Sequence, residues 1–116
     1  MAATAILKAI FSPDLPAGEP SLPPDPSNCW VVIHADIGLP GSGAADTFTF
    51  FVTTTSFLKR ELECSTYQIG RGLIVLREFS WPHVSAAIED VIGRCAGKTW
   101  VEIAARLSQY GESEYA

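Results

Sequence analysis

The chain predicts an α+β fold, a mainly antiparallel sheet of about four strands with two C-terminal helices packed on one of its faces. Two features lead to this class. The last third, from Phe79 onward, holds two capped amphipathic helices in tandem, and the segments before it are short, alternate between apolar and polar residues, and are separated by turn formers.

Thr4 to Phe11 is short and apolar and is closed by Ser12-Pro13-Asp14, so it reads as the first strand. From Pro13 to Asn28 six prolines interrupt any regular ladder, which predicts an extended surface loop over residues 13–28, laid against the domain. Cys29 to Ile37 alternates: Val31, Ile33, Ala35 and Ile37 share one face of a strand, and Trp30, Val32, His34 and Asp36 share the other. The turn Gly38-Leu39-Pro40-Gly41-Ser42-Gly43 reverses the chain into Thr47 to Thr53, where threonine alternates with aromatics, so the two strands form an antiparallel hairpin. Thr55 or Ser56 then caps a short helix over Phe57 to Leu62, and Leu73 to Phe79 is the last strand.

The first long helix is predicted from Trp81 to Ala96. Ser80 is its N-cap, Pro82 lies in the first turn, and Gly97 follows as a left-handed terminator. Val84, Ala87, Ile88, Val91, Ile92 and Cys95 follow the three-four spacing of a single buried stripe. Thr99-Trp100-Val101-Glu102 matches a capping box, in which hydroxyl and carboxylate each satisfy an unpaired N–H, and it opens a second helix. Trp100, Ile103, Ala104, Leu107 and Tyr110 form the inner face of that helix, with Trp100 and Leu107 as its core anchors, and Gly111 is the stop.

A length of 116 residues suits a single domain spanning 1–116. Hydrophobic residues make up 47% of the chain and charged ones 18%, the balance of a folded chain rather than a disordered one. No apolar run is long enough to span a bilayer, and the start Met1-Ala2-Ala3-Thr4 has neither the basic beginning nor the apolar core of a secretion signal, which points to the cytoplasm. Cys29, Cys64 and Cys95 are odd in number and far apart, neither a disulfide framework nor a metal-binding pair. The formal charge of −5 disfavours direct nucleic-acid binding and attraction to anionic membranes, and makes a basic partner electrostatically plausible.

Catalytic signatures are sparse. His34 and Asp36 share a strand face, where an acid can orient a base, yet no nucleophile turn accompanies them; a small hydrolase or transferase using this pair is the minor alternative, beside a subunit of a larger assembly. The glycine-rich turn lies between strands and lacks the Lys-Ser/Thr of a phosphate loop. No short ligand pair anchors a metal, and no cofactor is expected. His83, in the first turn of a helix, reads as a solvent contact, and Cys95 as a small core residue. Among the aromatics, Trp81 and Trp100 are assigned to packing. Trp30 either meets a partner or is covered by the Pro-rich loop, and Tyr115 follows two acids at the tail.

Taken in order, the segments resemble the immunity-protein-eight family of bacterial polymorphic toxin systems. The matching stretches are Ser12-Pro13-Asp14, Pro24-Asp25-Pro26, Ile37-Gly38, Asp46 to Val52, Phe57-Leu58, Leu73-Ile74-Val75, Cys95 to Trp100 and Leu107 to Gly111, and they cover nearly the whole chain. Two features depart from the pattern: Phe57 stands where the family often has tryptophan, and the ending Glu112-Ser113-Glu114-Tyr115-Ala116 replaces an aromatic-acidic one. The resemblance implies a small cytoplasmic protein, encoded beside a toxin, that binds the toxin and blocks it in the producing cell and its kin; it implies no catalysis and supplies no catalytic residues. Surface chemistry nominates the toxin-binding residues: Trp30, His34 and Asp36 on their strand face, with the acids Asp46, Glu112 and Glu114 around them. The C-terminal acids are expected to lie on a mobile tail, and the acidic balance suits a basic toxin domain such as a nuclease.

Overall fold

The computed structural model describes residues 3–15, 21–67 and 70–114. Its elements run β1 (Ile6–Phe11), β2 (Trp30–Gly38), β3 (Asp46–Thr54), α1 (Thr55–Cys64), β4 (Leu73–Leu76), α2 (Trp81–Gly93), α3 (Trp100–Leu107) and β5 (Glu112–Ser113). The class is the α+β one that the sequence predicts. The sheet has the order β1-β2-β3-β4, with β5 also on β3. β1 and β2 pair antiparallel, as do β2 and β3.

β4 runs parallel to β3, because α1 carries the chain back along the sheet before β4 begins. β4 lies beside Phe51 to Thr54 and β5 beside Phe48 and Thr49, so both use one edge of β3. The hairpin between β2 and β3 turns through Gly41, whose φ of 78° is in the left-handed region that favours glycine.

The alternation in β2 sorts its residues as expected. Val31, Ile33, Ala35 and Ile37 are buried with Phe48, Phe50 and Val52 of β3, and they form one core with Val84, Ile88 and Ile92 of α2 and Ile103 and Leu107 of α3. Full burial of a side chain such as Phe48 or Ile88 stabilises the fold by about 1.5–3 kcal/mol. The other face of the sheet stays partly open. Trp30, Val32, His34 and Asp36 are half-buried there.

Several boundaries differ from the sequence reading. Ser80 does cap α2, its Oγ accepting from His83 N at 3.2 Å, but the helix ends at Gly93 rather than Ala96. Gly97 is not left-handed; it exchanges hydrogen bonds with Ala3, at 2.6 Å from Ala3 N to Gly97 O and 3.0 Å in return. This bridge extends the chain past α2 and so replaces a glycine cap. Thr99 caps α3, its hydroxyl accepting from Glu102 N at 3.2 Å, while the Glu102 carboxylate pairs with Arg106 at 2.9 Å. Within α3 Leu107 is fully buried, but Trp100 is only half-buried, and Tyr110, beyond the helix, is 37% exposed.

The cap of α1 is Thr54, the last residue of β3, and not Thr55 or Ser56. Its Oγ1 is buried where it accepts from Cys29 N at 3.2 Å and from Phe57 N at 3.4 Å, so one hydroxyl ends a strand and starts a helix. β4 stops at Leu76, because Phe79 N turns away to the Pro26 carbonyl at 2.7 Å. In the Pro-rich loop, Asp25 Oδ1 accepts from Ser27 N at 3.1 Å and from Ser27 Oγ at 2.7 Å, forming a tight side-chain turn. Trp81 Nε1 donates to the Ser21 carbonyl at 2.8 Å, and together these bonds lay residues 21–28 against the start of α2. Residues 16–20 of that loop lie outside the described residues.

Candidate functional site on the open sheet face

Pairing across the sheet brings to one face residues that the sequence scatters over a hundred positions. Directly opposite residues in antiparallel strands share a face, so register alone defines rows. Asp36 lies opposite Thr47, and His34 lies between Phe11 of β1 and Thr49 of β3. Thr49 is in turn opposite Glu112 of β5, which places Glu112 in the row of His34. Val32 is in register with Phe51, and Phe51 with Leu73 of β4; Trp30 is in register with Thr53, and Thr53 with Val75.

The face has two halves of different chemistry. In the apolar half the Trp30 ring lies 5.8 Å from Phe51 and 5.9 Å from Phe57, so α1 supplies part of the aromatic cluster. Trp30 is therefore flanked by helix α1. It is half-buried, with the Phe51 and Phe57 rings against it. Phe11, 47% exposed, stacks at a tilt on His34 with ring centres 5.3 Å apart and joins the two halves.

In the polar half, Asp36 Oδ1 accepts from Thr47 Oγ1 at 2.7 Å and His34 Nδ1 contacts Thr49 Oγ1 at 3.0 Å. Glu114 holds Thr47 from the strand edge: its N–H donates to the Thr47 carbonyl at 3.1 Å and its Oε1 accepts from Thr47 N at 2.9 Å. The C-terminal acids are thus tied into the sheet and are not on a mobile tail, because β5 and Glu114 continue the ladder of β3. Tyr115 lies outside the described residues. The ion pairs among the described residues are Arg94 with Asp90 and Arg106 with Glu102, so the charges of Asp36, Glu112 and Glu114 have no cationic partner within 4 Å.

Asp46 does not join this group. It is in register with Ile37, a core-facing residue, and its Oδ2 accepts from Trp100 Nε1 at 3.0 Å. That hydrogen bond satisfies the one polar atom of a half-buried indole and fixes the start of α3 to the start of β3. Asp46 serves the fold at this point, on the helix side of the sheet.

The backbone beneath the face is reinforced where β1 ends. Ser12 Oγ donates to the Val32 carbonyl at 2.6 Å and Asp14 Oδ2 accepts from Val32 N at 2.8 Å, so two side chains continue the β1–β2 ladder after Phe11. Pro13 cannot donate a backbone hydrogen bond, which explains why side chains take over there.

His34 and Asp36 engage separate threonines, so the acid does not orient the imidazole as a general base would require. Among the described residues no group of three or more His, Cys, Asp or Glu is placed to hold a metal ion. Burial pushes the Cys95 thiol above its ordinary value, and burial followed by the nearby Asp25 charge does the same to Cys29, which keeps both protonated; Cys64 is exposed. His83 is exposed on the first turn of α2. Surface chemistry read from the sequence nominates none of Phe11, Phe51, Phe57, Thr47 and Thr49 for this face. Period-two alternation in β3 was visible, but only the register shows which strand each aromatic meets.

The open face of the sheet thus carries an aromatic cluster at one end and carboxylates outside any ion pair at the other. The sequence profile of the Immunity protein 8 family matches residues 5–116, and the chain belongs to that family. The name of the family carries a role in immunity, protection against a toxin. No curated protein and no solved structure matches the chain. No helix among the described residues is long and apolar enough to cross a membrane.

Proposed function

We propose that this protein neutralises a cognate toxin of a polymorphic toxin system by stoichiometric binding, and that the open sheet face is the binding surface. The whole-chain family match carries the immunity role. Charge complementarity supports the surface: Asp36, Glu112 and Glu114 have no ion-pair partner among the described residues on a chain of net charge −5, and Glu112 lies one row from Phe51 on the same face. A basic toxin domain, such as a nuclease, fits that field through steering and local pairing. Trp30 is the anchor of the contact, His34 and Asp36 its polar border, and Glu112 and Glu114 its charged rim. Asp46 is left out because it lies on the helix side of the sheet, where its carboxylate holds Trp100.

In this reading the chain acts as a single domain in the cytoplasm of the producing cell and its kin, without catalysis, nucleic-acid binding or membrane attachment of its own. Co-expression with the toxin encoded by the adjacent gene should restore growth to the poisoned cell. In binding kinetics with that toxin, Trp30→Ala should mainly speed dissociation, by about 30-fold for a hot spot of roughly 2 kcal/mol. Failure of the rescue removes the immunity role, and unchanged dissociation removes Trp30 from the interface. A hydrolase or transferase activity lost on His34→Ala, with folding intact, would replace binding by catalysis.

A further inference from the structure

The two edges of the sheet are built differently. On β1 the register shifts between Leu7 and Ala9, and Lys8 at that irregularity turns its ammonium to the carbonyls of Ser42 and Ala44. Bulges and lysines are devices that keep edge strands from pairing. The outer edge of β4, Leu73-Ile74-Val75-Leu76, has no charge, proline or bulge.

The direction of its backbone groups follows from the ladder. The Gly72 carbonyl accepts from Phe51 N at 2.7 Å, and groups alternate sides along a strand, so Ile74 and Leu76 bond to β3 while the N–H and C=O of Val75 point outward. Val75 is 45% exposed, and no strand among the described residues pairs with β4 on that side. Beside it runs an open groove of about 650 Å³, lined by Val75, Leu76, Arg77 and Glu78 on one side, by His83 and Ala86 of α2 on the other, and by Ser27.

We propose that an extended segment of the toxin adds to the sheet along the outer edge of β4, filling this groove. This rests on the toxin-binding reading above and names how the contact continues past the open face. Leu73 belongs to the row of Val32 and Phe51, all three partly exposed, and this row joins the edge to the aromatic half; in the row of Trp30 and Val75 the intervening Thr53 is buried. Area favours such a continuation: strands ~4.8 Å apart and residues ~3.4 Å apart give the flat face a projected area of roughly 450 Å², whereas a specific complex takes about 800 Å² of accessible surface from each partner. Strand addition supplies main-chain hydrogen bonds for affinity, while Val75 and the groove select alternate side chains of the incoming strand.

The test uses the full-length protein and the catalytically disabled toxin domain encoded by the adjacent gene. Val75→Pro removes the outward N–H at a position where an edge strand tolerates proline, so the thermal midpoint should hold while affinity falls about tenfold or more. Val75→Thr keeps the N–H and should bind within about threefold of the parent. Hydrogen exchange on the parent reads the same contact without a substitution: the Val75 amide should exchange fast in the free protein and slow on complex formation. Normal binding by Val75→Pro, or a Val75 amide whose exchange is unchanged in a saturated complex, overturns strand addition. If Trp30→Ala still weakens binding in that case, the face survives and only the edge is lost; if it does not, the surface reading has failed as well. A parent protein that sediments as a dimer and becomes monomeric on Val75→Pro assigns the edge to a second copy and overturns the proposal too.

Discussion

At Gly111 a side chain has no room: a Cβ built there would lie 2.8 Å from Cζ of the buried Phe50 ring. The residue keeps an ordinary backbone conformation, so its role is close approach and not the left-handed turn that a glycine after a helix suggests. Gly111→Ala should therefore destabilise the protein by about 1–3 kcal/mol, the usual cost of forcing a well-packed core apart, and urea denaturation would measure it. A substitution that is neutral would mean that Phe50 can move, and with it the packing of β3 on α3. Asp46 and Trp100 make a similar point. An acid that reads as exposed charge is a hydrogen-bond acceptor for an indole, and the pair closes the sheet against the last helix.

Among the elements, β1 and its following turn show how a short motif supports a whole strand pair. Ser12-Pro13-Asp14 reads as a breaker, and it does break the strand, yet Ser12 and Asp14 continue its hydrogen bonding to Val32 through side chains. Removing the Asp14 carboxylate leaves Val32 N without that partner beneath the proposed binding face. Asp14→Ala should cost about 1–2 kcal/mol, since the bond is charge-assisted but partly exposed, and should raise the exchange rate of the Val32 amide while that of the Phe48 amide stays slow. Helix α1 is the contrasting element. It has no fully buried residue and is held through Thr54 at its start and through half-buried Phe57 and Leu58, with Phe57 lying against Trp30.

For the whole molecule, the uneven division of the open face separates two contributions to binding. Carboxylates that no cation neutralises act at long range and set the rate of encounter, while the aromatic half acts only on contact. Joint replacement of Asp36, Glu112 and Glu114 by Asn, Gln and Gln should slow association with the adjacent-gene toxin by about tenfold at low salt and flatten its salt dependence, leaving dissociation nearly unchanged. Stopped-flow association at two salt concentrations would check this. Equal slowing at both would show that these side chains act through contact instead of steering.

The sequence by itself determined the two faces of β2 and the starts of α2 and α3, where local periodicity and a capping hydroxyl suffice. The alternation of β2 separates Val31, Ile33, Ala35 and Ile37 from Trp30, Val32, His34 and Asp36, and the structure buries the first set and leaves the second on the open face. Ser80 and Thr99 start their helices where a hydroxyl can accept from a backbone N–H two or three positions on. What only the tertiary structure decided depends on register and on contacts distant along the chain. The parallel pairing of β4, the addition of β5 to β3, and the approach of Glu112 to the row of His34 follow from how α1, α2 and α3 return the chain to the sheet. Asp46 and Glu114 carry the same charge and looked alike in sequence. One lies beneath Trp100 and the other holds the edge of β3, because a carboxylate is committed by whichever unsatisfied N–H folding brings within reach.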